Sequence, residues 1–332
     1  MIKVKFFPLQ AHSLAFGGFE IQMLTLLDNL QQHSKENIEV GKIDVWSRDN
    51  DYDIAHFWGL EPANLNNVMW AKSCGKKVVI TVLLSYYERV TTLLYDKISK
   101  YIGIKKIQLE ILKLVDAVVV VNDLQMTVAH NIFKIEKDKI FIIPNIIHDN
   151  FIKEGEYVTE EESYILCTGN ICLRKNQVNL AKACVNAKVE LVLIGKVLPG
   201  EEDYARELEF IVKNYPQIRW IKGLPENSPE LVKMVKKCRV FALLSKSETQ
   251  PISILEAISM NKQLLLSDRK YSYQSYFLNA LKVNPDNVQS IEQGIKQIFE
   301  DSNNFRADPK FLEDFHGNHV AEKYMNVYKY IL

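Results

Sequence analysis

Residues Ser247–Ala257 read SETQPISILEA. The stretch begins where an apolar run, Arg239–Leu244 (RVFALL), ends, and it leads into a second apolar segment. The first run has the character of a buried strand and the second that of a helix. Pro251 is predicted at the first helical position, where its missing N–H costs nothing. The segment therefore reads as strand, short loop and helix N-terminus. Backbone N–H groups and the positive end of a helix dipole suit an anionic ligand at such a place. Glu248 falls in the loop; Glu256 falls inside the helix, beside Ile254, Leu255, Ala257 and Ile258. A carboxylate on so apolar a helix either faces solvent or needs a partner.

The same unit recurs outward in both directions. Upstream, strand Tyr164–Thr168 precedes the loop GNICLRKN and helix Gln177–Ala187. Strand Val189–Ile194 precedes helix Glu201–Asn214, and strand Ile218–Ile221 precedes helix Pro229–Lys237. Downstream come strands Gln263–Ser267 and Ala280–Val283, helix Val288–Phe299 and a last amphipathic helix, Lys310–Leu332. The first half alternates likewise, with strands at Ile2–Phe7, Ile38–Trp46, Ile54–Trp58, Val78–Leu84, Asp116–Val121 and Ile140–Ile143. Helices are predicted at Ile21–Leu30, between Tyr86 and Val115 with a break at Gly103, and from Asp123. The polar, acidic stretch Asn150–Ser163 separates the halves. This pattern predicts an α/β chain of two doubly wound parallel-sheet (Rossmann-like) domains facing across a cleft. The expected division is 1–150, 151–309 and a closing helix, 310–332. Ligands of such sheets gather at the C-terminal edges of the strands.

Composition narrows the function. The chain has 332 residues, 47% hydrophobic and 25% charged, enough for two ordinary cores. Lys+Arg and Asp+Glu both number 41, so nothing draws the whole molecule to nucleic acid. The five cysteines form no CxxC pair and read as buried free thiols of a reducing compartment. The start MIKVKFFPL is too short for a signal peptide, and no apolar run reaches the roughly 20 residues of a membrane span. A cytoplasmic chain is expected, peripheral to the inner face of a membrane if it docks there. That docking would use 93–115, where lysines interleave with Tyr95, Ile98, Tyr101, Ile102 and Ile104; the same pattern also describes a helix pair with a wet lysine face. Asp49, Asp51 and Asp53 form overlapping DxD patterns but precede a strand, so they read as a solvated turn and no metal site is expected. His56 points either to the C-terminal edge of its sheet or into the core.

The chemistry concentrates on loops leaving strand ends. The first half supplies Gly17-Gly18, His56, the Leu84–Tyr86 turn and Asn122. The second supplies Asn170–Lys175, Gly195, Gly223 and Glu248–Pro251. A cation pair, Arg174-Lys175, with helix-end N–H groups is equipment for a diphosphate. A carboxylate accepts two sugar hydroxyls side by side. Diphosphate plus polyol describes a nucleotide-sugar.

These motifs resemble those of retaining glycosyltransferases of family four, with the GT-B fold. Glu248 and Glu256 have the family's E-x7-E spacing. Gly169–Asn176 (GNICLRKN) resembles its G-R-x4-K-G stretch, and Gly17-Gly18-Phe19-Glu20 its GG-x-E/Q loop. Asp53-Ile54-Ala55-His56 resembles D-(V/I)-(V/I)-H, Ile143-Pro144-Asn145 matches its IPN, and FHGNHVAEKYMNVYKYI is similar to its closing helix, which crosses back onto the first domain. The resemblance covers nearly the whole chain in order. It implies sugar transfer from a nucleotide-sugar to a glycan or lipid-linked acceptor, with retention, in surface polysaccharide biosynthesis, without a metal or cofactor. Lys175 would neutralise the diphosphate, with Asn170, Arg174 and Gly195 beside the donor. Glu248 would meet the transferred sugar and Glu256 the ribose. The N–H groups of Thr249, Gln250, Pro251's neighbour Ile252 and the turn as a whole would hold phosphate or sugar. Gly17-Gly18 would close over the phosphates, and Glu20 and His56 would face the acceptor. Two positions depart from the pattern: Asn170 replaces an arginine, and Leu83 in Thr81-Val82-Leu83-Leu84 replaces a histidine. They motivate the alternative of a catalytically silent nucleotide-sugar-binding subunit of a partner transferase. An epimerase or phosphorylase of the same fold is a third reading.

Overall fold

The computed structural model describes residues 1–14, 16–33, 38–84, 98, 103–155, 160–300 and 305–332. The chain divides into two compact units, one of Met1–Ile146 with Asp314–Leu332 and one of Ile147–Glu313.

The first unit holds strands β1 (Ile2–Phe7), β2 (Ile38–Lys42), β3 (Ile54–Trp58), β4 (Lys77–Thr81), β5 (Ala117–Val120) and β6 (Ile140–Ile142). They form one sheet in the order β2-β1-β3-β4-β5-β6, with every pair parallel. Helices α1 (Gly18–His33), α2 (Leu65–Ser73), α3 (Gly103–Leu114) and α4 (Asp123–Asn131) connect them. The strands β3 and β5 are buried throughout because layers cover both faces of the sheet.

The second unit begins with α5 (Asp149–Gly155). Its strands are β7 (Glu162–Thr168), β8 (Glu190–Ile194), β9 (Ile218–Ile221), β10 (Cys238–Leu243), β11 (Gln263–Ser267) and β12 (Leu281–Val283). The sheet order is β12-β11-β10-β7-β8-β9, again all parallel. Its helices are α6 (Gln177–Ala187), α7 (Glu202–Asn214), α8 (Pro229–Lys237), α9 (Ile252–Ser259) and α10 (Val288–Glu300). The core of one face joins Ile165, Leu191 and Leu193 to α6 and α10. The chain ends on α11 (Gly317–Ile331), whose Val320, Ala321, Tyr324 and Tyr328 pack into the core of the first unit.

Several expectations are corrected. Strand β2 stops at Lys42, because the residues that follow run back along the sheet as an exposed connection in which Trp46 is 91% exposed. The polar stretch read as the boundary between the halves contains most of α5, whose Phe151 is fully buried. The final helix is not continuous from Lys310: a 3-10 segment, Pro309–Phe315, precedes it. Pro251 is the residue before α9 rather than its first, with extended backbone. Of the lysine-rich stretch 93–115, residues 93–97 and 99–102 lie outside the described residues. Within α3, Lys105 is buried, its Nζ 5.9 Å above the Phe133 ring, so it belongs to no wet face. Cys74 is exposed; the other four cysteines are buried free thiols. Among the described residues no helix is long and apolar enough to cross a membrane.

Candidate functional site

In the second unit, β7 and β10 are neighbours, so the loops leaving their C-terminal ends lie side by side. The β7 loop runs from Gly169 to Asn176. Asn176 ends it in the left-handed conformation, at φ 62°, which asparagine tolerates better than most residues. That residue caps α6 and sends its amide to the Pro285 carbonyl, 2.8 Å away. Gln177, buried at the start of α6, donates to the Asn170 carbonyl at 2.9 Å. The Lys246 N–H donates to the Arg174 carbonyl at 2.8 Å, stitching the β7 loop to the β10 loop. Gly195, at the end of β8, permits a third close approach: a Cβ there would stand 2.0 Å from the Gly169 carbonyl oxygen.

This framework brings three charged side chains together. Lys175 Nζ and Arg174 Nη1 each lie 2.8 Å from the same oxygen, Glu248 Oε1. Arg174 also donates to the Ser247 carbonyl at 2.7 Å. Lys175 and Glu248 are largely buried, with side chains 12% and 11% exposed, whereas Arg174 remains half exposed. Burial alone would push the Glu248 carboxyl up, but the charges of Lys175 and Arg174 outweigh it and hold the group below its ordinary value. Glu248 is therefore a carboxylate bound to two cations.

Glu256 is set apart from this cluster. It is half-buried on α9 among Ile254, Leu255, Ala257 and Ile258, and burial pushes its carboxyl up to about 8. Its side chain makes no hydrogen bond or ion pair among the described residues. Asn170 is half-buried, and Gln250 turns its side chain inward to the Tyr276 hydroxyl at 2.8 Å. The Pro251 carbonyl accepts the first helical bonds of α9, from Ile254 and Leu255. The preceding N–H groups, from Thr249 to Ile252, lie at the start of that helix.

The first unit holds the other candidates. Gly17 and Gly18 open α1, and Glu20, in its first turn, accepts the Gly17 N–H at 2.9 Å. Buried and folded back on its own loop, Glu20 is a cap for the glycine turn. The acceptor-facing expectation for His56 is corrected. Its ring is fully buried, with Nδ1 2.8 Å from the Tyr328 hydroxyl and Nε2 2.8 Å from the Thr81 hydroxyl. Burial depresses its pKa to about 3, so it is a neutral core histidine with both nitrogens engaged. Leu83, by contrast, is 40% exposed beyond the end of β4.

Sequence reading missed Gln177 and a second polar group behind the β10 loop, formed by Tyr271, Gln274 and Tyr276. The composition of YSYQSYF after β11 carries no spacing signal that would single them out.

Comparisons with known proteins agree with this architecture. Residues 149–310, which hold all of the Arg174–Lys175–Glu248 cluster, match the family described as glycosyl transferases group 1. A glycosyltransferase structure from Rickettsia africae is similar over 99% of this chain and 98% of its own, at 15% identity and a TM-score of 0.72. HepE from Anabaena, solved in complex with UDP, is similar over 99% of this chain and 100% of its own, at 13% identity and a TM-score of 0.73. The lipopolysaccharide outer core galactosyltransferase WaaB is similar over the full length of both chains, at 15% identity and a TM-score of 0.63. No curated protein sequence matches the chain. The chain has two doubly wound units in the GT-B fold, and its second unit carries the match to the glycosyl transferases group 1 family over residues 149–310.

Proposed function

We propose that the protein moves a sugar from a uridine-type nucleotide-sugar to a glycan or lipid-linked acceptor, with retention at the anomeric carbon, in the making of a surface polysaccharide. The observation that carries this reading is the convergence of Lys175 and Arg174 on Glu248. Two cations bound to one carboxylate oxygen can equally bind the oxygens of a diphosphate. A diphosphate entering beside them displaces Glu248 and frees its carboxylate for sugar hydroxyls. Departure of the nucleoside diphosphate builds negative charge where Lys175, Arg174 and the N–H groups at the start of α9 stand, which stabilises the transition state electrostatically. Glu256 supplies an acceptor for the paired ribose hydroxyls. The domain roles follow: the second unit binds donor and the first serves the acceptor. HepE, in complex with UDP, and WaaB, a lipopolysaccharide outer core galactosyltransferase, support the nucleotide and the glycan acceptor by likeness of fold.

The displacement can be tested by calorimetry with UDP and by UDP release from UDP-glucose. Glu248→Gln removes the internal competitor for both cations. The variant should bind UDP several-fold more tightly than wild type while turning over about 100-fold more slowly. Equal, slow UDP release by wild type and variant from a panel of nucleotide-sugars and acceptors, with tight UDP binding retained, would instead establish the silent binding subunit. The exposed Leu83 at the end of β4 favours that second reading.

A further inference from the structure

The loop between β10 and α9 is held by four side chains, three of which the donor reading does not use. Four alternate carbonyl groups of this segment accept hydrogen bonds from side chains elsewhere in the unit. Tyr271 donates to Leu243 at 2.9 Å and Ser267 to Ser245 at 2.6 Å. Arg174 donates to Ser247 at 2.7 Å and Gln274 to Thr249 at 2.9 Å. Three of the four donors come from the end of β11, from the 3-10 turn Lys270–Tyr273 and from Gln274, which links that turn to the next, Ser275–Phe277. Those turns are anchored by Tyr271 and Phe277, both fully buried.

Gln274 is the pivot. Its amide nitrogen donates to two carbonyls, Thr249 at 2.9 Å and Tyr271 at 2.8 Å. With both N–H bonds spent there, its oxygen faces the other way and accepts from the Tyr276 hydroxyl. That hydroxyl in turn accepts from the Gln250 side chain at 2.8 Å. Gln274 and Tyr276 thus grip both residues of the Thr249–Gln250 peptide, one by its carbonyl and the other by its side chain. In a trans peptide the C=O and the following N–H point in opposite directions. Turning the Thr249 carbonyl back to Gln274 therefore turns the Gln250 N–H away from it. The same grip sets the position of Glu248, the next residue back.

We propose that Gln274, with Tyr276, is a positioning residue for sugar transfer. It touches no reacting atom; it fixes the turn that carries Glu248 and the N–H groups offered to the donor. The proposal rests on the donor-site reading above. Because the grip acts on the donor turn, its loss falls on the chemical step and on donor binding more than on global stability.

Three variants test it: Gln274→Met, Gln274→Glu and Tyr276→Phe. Each is compared with wild type by melting temperature, calorimetric affinity for UDP, and kcat and KM for UDP release from UDP-glucose. Gln274→Met keeps the chain length and drops every hydrogen bond; its kcat should fall about tenfold or more, with a higher donor KM. Tyr276→Phe should move both constants the same way by less. Gln274→Glu places an oxygen against two carbonyls, which repel it while it is ionised. Its kcat, divided by that of wild type at each pH, should rise as pH falls from about 8 to about 5, because a protonated carboxyl can again donate to one carbonyl. The same ratio for Gln274→Met should stay flat.

If wild type binds UDP and turns over, and both Gln274→Met and Tyr276→Phe keep its kcat and donor KM, the positioning role is refuted while the donor reading stands. A wild type that binds no nucleoside diphosphate overturns the donor reading itself. If the Gln274 variants fail to fold, Tyr276→Phe decides alone, since it removes one hydroxyl: unchanged kcat and KM refute the proposal.

Discussion

Glu248 and Glu256 belong to one loop-helix unit, yet their surroundings drive them in opposite directions. Burial acts on both. Around Glu248 the charges of Lys175 and Arg174 overcome it; around Glu256 no cation among the described residues does, and its carboxyl rises to about 8. The sign of the consequence is fixed by linkage. A carboxyl whose folded pKa lies above its unfolded value binds its proton more tightly when folded. Stability is then full below about 4.5 and declines as pH rises towards about 8, where the charged form must be buried. Glu256→Gln removes that decline. The variant should melt higher than wild type at pH 8, by on the order of 4 °C, and the gap should close towards pH 4. Melting curves across that range check it, and parallel curves would exclude a desolvated Glu256. Such a cost is what the proposed ribose-binding role would impose on an empty site. Both glutamates and Lys175 stood out as candidates in the sequence, because their places in two strand-loop-helix units single them out, and the fold brings Lys175 to Glu248. Gln274, Gln177 and Tyr276 were not: each acts through a contact set by folding and leaves no pattern along the chain. His56 shows the converse. Its place in the sequence suited an exposed edge, but its two hydroxyl partners, Thr81 and Tyr328, come from far along the chain.

At the scale of elements, the doubly wound alternation was legible because parallel strands buried on both faces read as unbroken apolar runs. Strands β9 and β11 and helices α6 and α8 have the bounds their apolar periods predicted. Helix α5 was hidden for a physical reason: only Phe151 is fully buried, and apart from its neighbour Ile152 the other side chains are polar. A single anchor generates no period. Besides that anchor, α5 comes up against α9 by a close backbone approach. A Cβ on Gly155, its last residue, would stand 2.0 Å from the Ser259 carbonyl oxygen at the end of α9. Neither partner is the end of a flexible side chain, so the helices must part to admit a methyl group. Gly155→Ala should therefore cost about 1–3 kcal/mol of unfolding free energy. Chemical denaturation followed by circular dichroism measures it; an unchanged midpoint would show that α5 does not lie against α9.

At the scale of the whole molecule, the two units differ in how the chain builds them. The second is continuous from Ile147 to Glu313 and contains Arg174, Lys175, Glu248 and Glu256 together with its own sheet and core. The first is discontinuous, because residues 314–332 return to complete it. Helix α11 contributes more than apolar area. Tyr328 engages His56, and the Tyr324 hydroxyl lies 3.3 Å from that of Thr81. Trp58 stacks on both His56 and Tyr324. A chain ending at Glu313 would leave His56 Nδ1 without its Tyr328 partner, at about 1–3 kcal/mol. It would also lose several fully buried side chains, each worth about 2–5 kcal/mol. The sum rivals the about 5–15 kcal/mol that stabilises an ordinary domain. The truncated chain should therefore lose the cooperative melting of the first unit and keep that of the second. Tryptophans report the two separately: Trp46, Trp58 and Trp70 lie in the first unit and Trp220 in the second. With Trp220 as the sole remaining tryptophan, the melting transition should survive truncation and still shift upward with UDP, because ligand binds only the folded unit. With Trp58 alone, the transition should vanish. Loss of both signals would mean that the second unit needs α11 to fold, and retention of both would mean that the network around His56 does not hold the first unit together.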